Sequence, residues 1–378
     1  MGIGKWAAVQ HSAVAGLPKS PELPETEEIT QHFWQFLNFG NSGDSPVYAR
    51  DVESADYIPK RGLRNGHLMT VYAWGKPRNF PRLPPPESRF FDVAPDSRVL
   101  AHCHWQQERH RHPALLALHG LEGSSQAHYM RGLADKGFAS GFNVILLNQR
   151  NCGGTEAYSS GLYHSGLTAD ADHVLREIGA RDGVDRVVIA GYSLGGNLAL
   201  KLAGDYGGAP PASLRGVCAV SPVMELDTCV RALERRQNVI YHWNFVRGLK
   251  GRMRRKAELQ PGRFAVAPLA RIRSVREFDE VYTAPHFGFR DAGDYYRRAS
   301  AMRVVDRIRV PALVISAEND PFVPPGPFRD PVVAANSYIT VILTRHGGHC
   351  GFVSDASNGD DGYWAEGKVI DFAKRVSE

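Results

Sequence analysis

The chain has 378 residues, 43% of them hydrophobic and 22% charged, a globular make-up long enough for one large α/β domain with insertions or for two ordinary domains. Its formal charge of +5 is small beside 45 basic and 40 acidic residues, and without a base-reading or zinc module it supports no nucleic-acid partner. Five cysteines with no CxxC pair argue against a disulfide scaffold or a Cys-based metal site, and no run approaches the roughly 18 apolar residues of a membrane span; a cytoplasmic protein is expected.

Residues 1–85 read as an N-terminal arm and surface layer, with Pro18, Pro21 and Pro24 early and Pro84 to Pro86 closing it; the first twenty residues lack a signal peptide. Phe90 to Val93 and Val99 to Trp105 form a strand pair around a Pro95-Asp96-Ser97 turn. From residue 114 apolar strands alternate with helices, the pattern of a mostly parallel sheet covered on both faces. The strands are Ala114 to Leu118, Asn143 to Leu147, Arg186 to Ala190, Gly216 to Val220, Ala312 to Ser316 and Tyr338 to Leu343, and the helices cover about 126–139, 168–180, 195–205 and 364–375. The alternation lapses over about 223–302, which reads as a helical cap inserted into a hydrolase domain of residues 86–378. Within it, the basic run Arg247 to Lys256 has two readings, a solvated face or a peripheral contact with anionic lipid or an acidic partner. Trp243, Phe245, Phe287, Phe289 and Tyr295 either line an acyl pocket or build the insertion's own core. No repeat or heptad identifies an oligomer surface.

The sharpest chemical signal is Gly191-Tyr192-Ser193-Leu194-Gly195, an apolar strand running into a small-residue turn and then a helix. That context makes Ser193 a nucleophile on a strained elbow, with Gly191, Gly195 and Gly196 supplying the room. A serine hydroxyl needs a base, and the base needs an orienting acid, which should follow in the order acid then histidine after late strands. Asp320, beyond the ALVIS strand, and His349, between glycines beyond the YITVIL strand, meet that order; Glu318, Asp330 and His346 are their neighbouring competitors. Two backbone N–H groups, of Leu194 after the nucleophile and of Leu121 in His119-Gly120-Leu121-Glu122-Gly123, should form the oxyanion hole. His119 is read as a structural residue that holds this loop.

Taken together, HGLEG, NQRNCGGTE, GYSLGGN, ENDPFVP and GGHCGF, with NGHLMT at Asn65 to Thr70 and REFDEVYTAPHFGFRDAGDYY in the insertion, resemble the YheT-like branch of the α/β-hydrolases, which includes the mammalian ABHD-type proteins. The resemblance implies an α/β-hydrolase core under a helical cap, a triad of Ser193, Asp320 and His349, and esterase or lipase activity on short-chain esters, acylglycerols or phospholipids. Met69 and Asn151 depart from the branch pattern, where glutamine and glycine are usual, and Asn319 stands where a first acid often does. The expected reaction is ester hydrolysis through an acyl-serine, with a small-molecule or lipid ester as substrate and neither metal nor organic cofactor. The alternatives are acyl transfer by the same chemistry and a noncatalytic lipid-binding scaffold.

Overall fold

The computed structural model describes residues 57–356 and 361–378, all within the compact unit Ala49–Glu378. Most of the arm read over residues 1–85 therefore lies outside the described residues. Its described end contains α1 (Gly66–Gly75), a helix the apolar periodicity did not signal. Asn65 starts it by accepting the N–H groups of His67 and Leu68, so the helix begins with two of its orphan donors satisfied.

Strands β1 (Glu87–Ala94) and β2 (Ser97–His104) pair antiparallel, and β2 pairs antiparallel with the next sheet member. The other six, β3 (Ala114–Leu118), β4 (Asn143–Leu147), β5 (Val187–Tyr192), β6 (Leu214–Val220), β7 (Ala312–Ala317) and β8 (Ile339–Thr344), run parallel in one eight-stranded sheet of order β1-β2-β4-β3-β5-β6-β7-β8. The central strands are apolar at successive positions because both faces are covered. Alternate side chains point to opposite faces. Leu116, Leu118, Ile189 and Val314 join one cluster with α3 (Thr168–Asp182) and α4 (Leu194–Tyr206), whereas Leu115, Ala117, Ala190 and Ile315 join the other with α2 (His128–Ala139) and the last helix (Trp364–Ser377).

Between β6 and β7 the chain carries helices and short helical turns joined by loops, with no strand among the described residues; α5 (Leu226–Leu233), α6 (Val239–Leu259) and α7 (Ala292–Ala299) are its longer elements, and the closing Trp364–Ser377 helix is α8. Leu249, Met253, Leu269 and Phe278 of this insertion share a continuous core with the α3/α4 face of the sheet. At 21 residues α6 is about 32 Å long.

The basic run belongs to α6, and a solvated face describes only part of it. Arg252 and Lys256 are buried, while Arg247, Arg254 and Arg255 are exposed. Arg252 pairs with Glu122 and lies over the Tyr163 ring, and Arg255 pairs with Glu156. Helical periodicity explains the division, because residues four apart share a face and Arg252 and Lys256 face the body. No helix among the described residues is long and apolar enough to cross a membrane.

Candidate active site

Parallel strands present their C-terminal ends on one edge, the usual ligand edge of an open α/β sheet. β5 ends at Ser193, β3 at the His119 loop, β7 ahead of Asp320 and β8 ahead of His349. Ser193 has φ 54° and ψ −114°, a strained backbone for a residue with a side chain. The turn closes so tightly that a Cβ at Gly191 would sit 2.0 Å from the Gly195 carbonyl oxygen, and one at Gly195 would sit 2.3 Å from that of Leu118. Gly196 faces Pro222, whose Cβ would be 3.0 Å from its own. The Ser193 N–H donates to Val220 O at 2.9 Å, tying the elbow to β6.

Asp320 and His349 meet: His349 Nδ1 lies 2.8 Å from Asp320 Oδ2. The other carboxylate oxygen, Oδ1, accepts the N–H groups of Phe322 and Val323 at 3.0 and 2.9 Å, so Asp320 shapes its turn and orients the histidine at once. Burial disfavours the imidazolium, but the adjacent Asp320 carboxylate outweighs it and raises the His349 pKa above the ordinary histidine value, with the Cys350 thiol adding to the effect. The competitors are engaged elsewhere. Glu318 pairs with Arg329, Asp330 caps the Pro331–Ala335 helix through the Val332 N–H, and His346 contacts Arg64 O at 2.9 Å. Ser193 Oγ has no hydrogen-bond partner among the described residues; contacts of this kind often tighten only when substrate is bound.

The loop after β3 lies against the nucleophile, since a Cβ at Gly120 would be 3.2 Å from Ser193 Cβ. His119 is fully buried and holds the loop from both ring nitrogens: Nδ1 contacts Gly120 O at 2.8 Å and Nε2 accepts the Gln149 N–H at 3.1 Å. Burial lowers its pKa to about 4, so it is neutral with the proton on Nδ1. Tyr129, which the sequence did not single out, accepts the Gly120 N–H through its hydroxyl at 3.1 Å. The Leu121 and Leu194 N–H groups have no partner among the described residues, which leaves both able to donate to an oxyanion.

The NGHLMT segment, known from the sequence only as part of the family resemblance, is the second component whose role at the site the sequence did not show. Thr70 Oγ1 accepts the backbone N–H of His349 at 2.8 Å while donating to Gly66 O at 2.7 Å. Asn319 Nδ2 donates to Arg64 O at 2.8 Å, and its Oδ1 accepts the Gly348 N–H at 3.1 Å. A carboxylate could accept but not donate, so the amide joins α1, the acid loop and the histidine loop in a way an acid could not. The fit at the centre is tight: a Cβ at Gly66 would sit 1.9 Å from Asn319 O. Met69 is fully buried, and its sulfur accepts the Val353 N–H at 3.3 Å. That departure from the branch pattern supports the loop that carries His349.

A cavity of about 100 Å³ extends from Leu121 and Leu194 into the cap, walled mainly by apolar side chains that include Val230, Leu249 and Met253. Of the cap aromatics, Tyr295 lines it, Trp243 is exposed, and Phe287 and Phe289 pack around His164 instead. Three buried charged side chains also border the cavity, Arg252, Lys256 and Asp279. Lys256 Nζ donates to Asn151 Oδ1, Ser159 O and Glu156 O at 2.7, 2.6 and 3.3 Å, and burial pulls its pKa down to about 8. Asn151 has φ 63°, a left-handed conformation asparagine tolerates, so it fills a glycine position and contributes an acceptor that glycine lacks. At the cap end, the Asp279 carboxylate accepts from Thr283 Oγ1 at 2.7 Å and Tyr296 Oη at 2.8 Å, and burial lifts its pKa to about 6. No group of three or more His, Cys, Asp or Glu side chains among the described residues is arranged to hold a metal ion.

Residues 113–356 match the family described as alpha/beta hydrolase fold. The chain is 33% identical to YheT of Escherichia coli strain K12, whose name marks it as a candidate esterase, across 84% of this chain and 93% of that protein. It is 28% identical to medium-chain fatty acid ethyl ester synthase/esterase 2 of Saccharomyces cerevisiae over 70% of this chain and 63% of the relative. It is 26% identical to phospholipase ABHD3 of Mus musculus, over 64% and 58%. The chain thus spans less than two thirds of these two eukaryotic relatives. Among solved structures, a 2,6-dihydroxy-pseudo-oxynicotine hydrolase superposes with a TM-score of 0.55 at 16% identity, over 82% of this chain and 72% of that one. Esterase Pf2001 of Pyrococcus furiosus does so at 0.53 and 12%, over 80% and 98%. Identities this low speak for the fold alone.

Proposed function

The chain belongs to the α/β-hydrolase family, in its YheT-like branch, and from that premise we propose that it hydrolyses carboxylic esters through an acyl-serine on Ser193. An esterase- or lipase-like enzyme is the coarse reading that the family and fold support. The observation that carries the finer one is the 2.8 Å contact of Asp320 with His349 Nδ1 on the edge where the Ser193 elbow and the Gly120–Leu121 loop meet.

In the proposed cycle His349 Nε2 takes the Ser193 proton as Oγ attacks the ester carbonyl. Asp320 holds the proton on Nδ1 and stabilises the imidazolium that forms. The Leu121 and Leu194 N–H groups receive the developing oxyanion, where removing one such donor typically costs about 10²–10³ in rate. Collapse breaks the acyl–oxygen bond and His349 protonates the departing alcohol. Water, deprotonated by the same histidine, then attacks the acyl-serine and releases the acid with Ser193 restored.

The cavity favours an acyl chain of short to medium length, because about 100 Å³ is well below the ~300–1,000 Å³ of a site that encloses a drug-sized ligand. Acylglycerols and other lipid esters remain within its reach if only one acyl chain enters. Acyl transfer is the second reading, favoured by the yeast relative whose name pairs synthase with esterase. Hydrolysis of p-nitrophenyl esters of graded chain length by the wild type and Ser193→Ala tests the proposal, with activity expected to vanish in the variant. Equal rates in both proteins would remove it. Acyl transferred to an added alcohol with no free acid released would replace hydrolysis by transfer.

A further inference from the structure

The first turns of α6 leave an apolar edge on the surface. Val239, Ile240 and Trp243 are 56%, 42% and 56% exposed. Their spacing of three and four places them on one side of the helix, and Arg247, one turn on, lies over the Trp243 ring at 5.0 Å. Arg235 and Arg236, exposed just before the helix, extend the same end. Neither they nor Arg247 has a carboxylate partner among the described residues. The nearby acids face other cations: Asp227 is held by Arg231 and Arg276, and half-buried Glu234 acts on His242 and Arg276.

The other side of these turns reaches the catalytic edge. Tyr241 and Phe245, each two residues from an exposed position and so roughly opposite on the helix, pack on Phe322 with ring centroids 5.5 and 6.3 Å away. Phe322 in turn lies 4.1 Å from the His349 ring, and Tyr241 stacks on His67 at 5.8 Å. One helical segment therefore carries an apolar, arginine-flanked outer face and an aromatic inner face over the proposed base.

We infer that the Val239–Ile240–Trp243 edge is a docking surface for an anionic lipid bilayer, seating the mouth of the site at the interface where acyl esters reside. The inference rests on the proposed ester hydrolysis for its purpose, though not for its test. Tryptophan with aliphatic neighbours suits the headgroup boundary, and unpaired arginines complement lipid phosphates. Three apolar residues fall far short of the roughly 20–30 residues per side of a stable protein–protein interface, which favours a bilayer over a protein partner. This surface differs from the Arg252 and Lys256 side of the helix, whose cations are spent inside the protein.

Full-length wild type, Ile240→Ser/Trp243→Ala and Arg235→Glu/Arg236→Glu are floated with vesicles of phosphatidylcholine alone or with about a third phosphatidylglycerol. Wild type is expected to partition at least tenfold better onto the anionic vesicles, since each basic residue near such a surface contributes roughly fivefold. Each double variant is expected to lose about tenfold of that partition while hydrolysing a soluble short-chain p-nitrophenyl ester at the wild-type rate without vesicles. Equal binding to both vesicle types, no binding, or wild-type binding by both variants would overturn the inference. A dimer dissolved by Trp243→Ala would assign the edge to a second copy and also overturn it. Anionic-selective binding lost in both variants, with no ester turned over by any protein, would leave the surface standing and remove the hydrolase reading.

Discussion

Thr70→Val separates support of His349, the proposed base, from support of the fold. Valine preserves the shape of a side chain that is 9% exposed but removes the hydroxyl that accepts the His349 N–H at 2.8 Å and donates to Gly66 O at 2.7 Å. The His349 N–H then loses its acceptor in a packed loop, an unsatisfied donor worth about 1–3 kcal/mol. Gly348, immediately before the histidine, packs so closely that a Cβ there would lie 2.7 Å from the Thr70 hydroxyl oxygen, so α1 and the loop adjust together. A shift of order 1 Å in a reacting group can cost about 10²-fold, so kcat is expected to fall roughly 10–100-fold. The cavity walls are untouched, which predicts a KM within about twofold of wild type for the same ester. Thr70→Ser restores the acceptor and should recover most of kcat. Steady-state kinetics on one soluble ester, beside urea denaturation, measures both effects. A Thr70→Val protein that is destabilised yet keeps kcat within about twofold would show that the bond holds the fold and does not position the base.

Two further outcomes follow from the same geometry. Because His349 must be neutral to accept the Ser193 proton, kcat/KM should fall as pH drops through its pKa, and Asp320 places that acid limb above the range of an ordinary histidine. Asp320→Asn removes the carboxylate that favours the imidazolium, so the limb should move to lower pH while the plateau rate drops steeply; a pH–rate profile with an unmoved limb would refute the assignment. Leu249→Trp fills the cavity from α6 and should shorten the preferred acyl chain. Each methylene excluded removes about 0.8 kcal/mol, or roughly fourfold in kcat/KM per carbon, and an unchanged chain-length profile would place the acyl group elsewhere.

The alternation of apolar segments determined the sheet, because a strand buried on both faces is apolar at successive positions, as Ala114–Leu118 and the stretch from Val144 to Leu147 are. The GYSLG turn was legible for a similar reason: Gly191 and Gly195 are positions where no Cβ fits, and local sterics require no knowledge of distant residues. The sequence favours Asp320 and His349 over Glu318, Asp330 and His346, by their place after late strands and by the glycines around His349, but the partners that engage the three competitors emerged only in the tertiary structure. Contacts across hundreds of residues left no local trace. The Thr70 and Asn319 links between α1 and the Asp320 and His349 loops arise only when β7 and β8 bring those loops to the helix, so NGHLMT showed itself as a fingerprint without showing its work. The division within the basic run was hidden for the same reason, since composition counts Arg252 and Lys256 as charges and only packing turned them inward, toward Glu122 and toward the acceptors of Asn151 and Ser159.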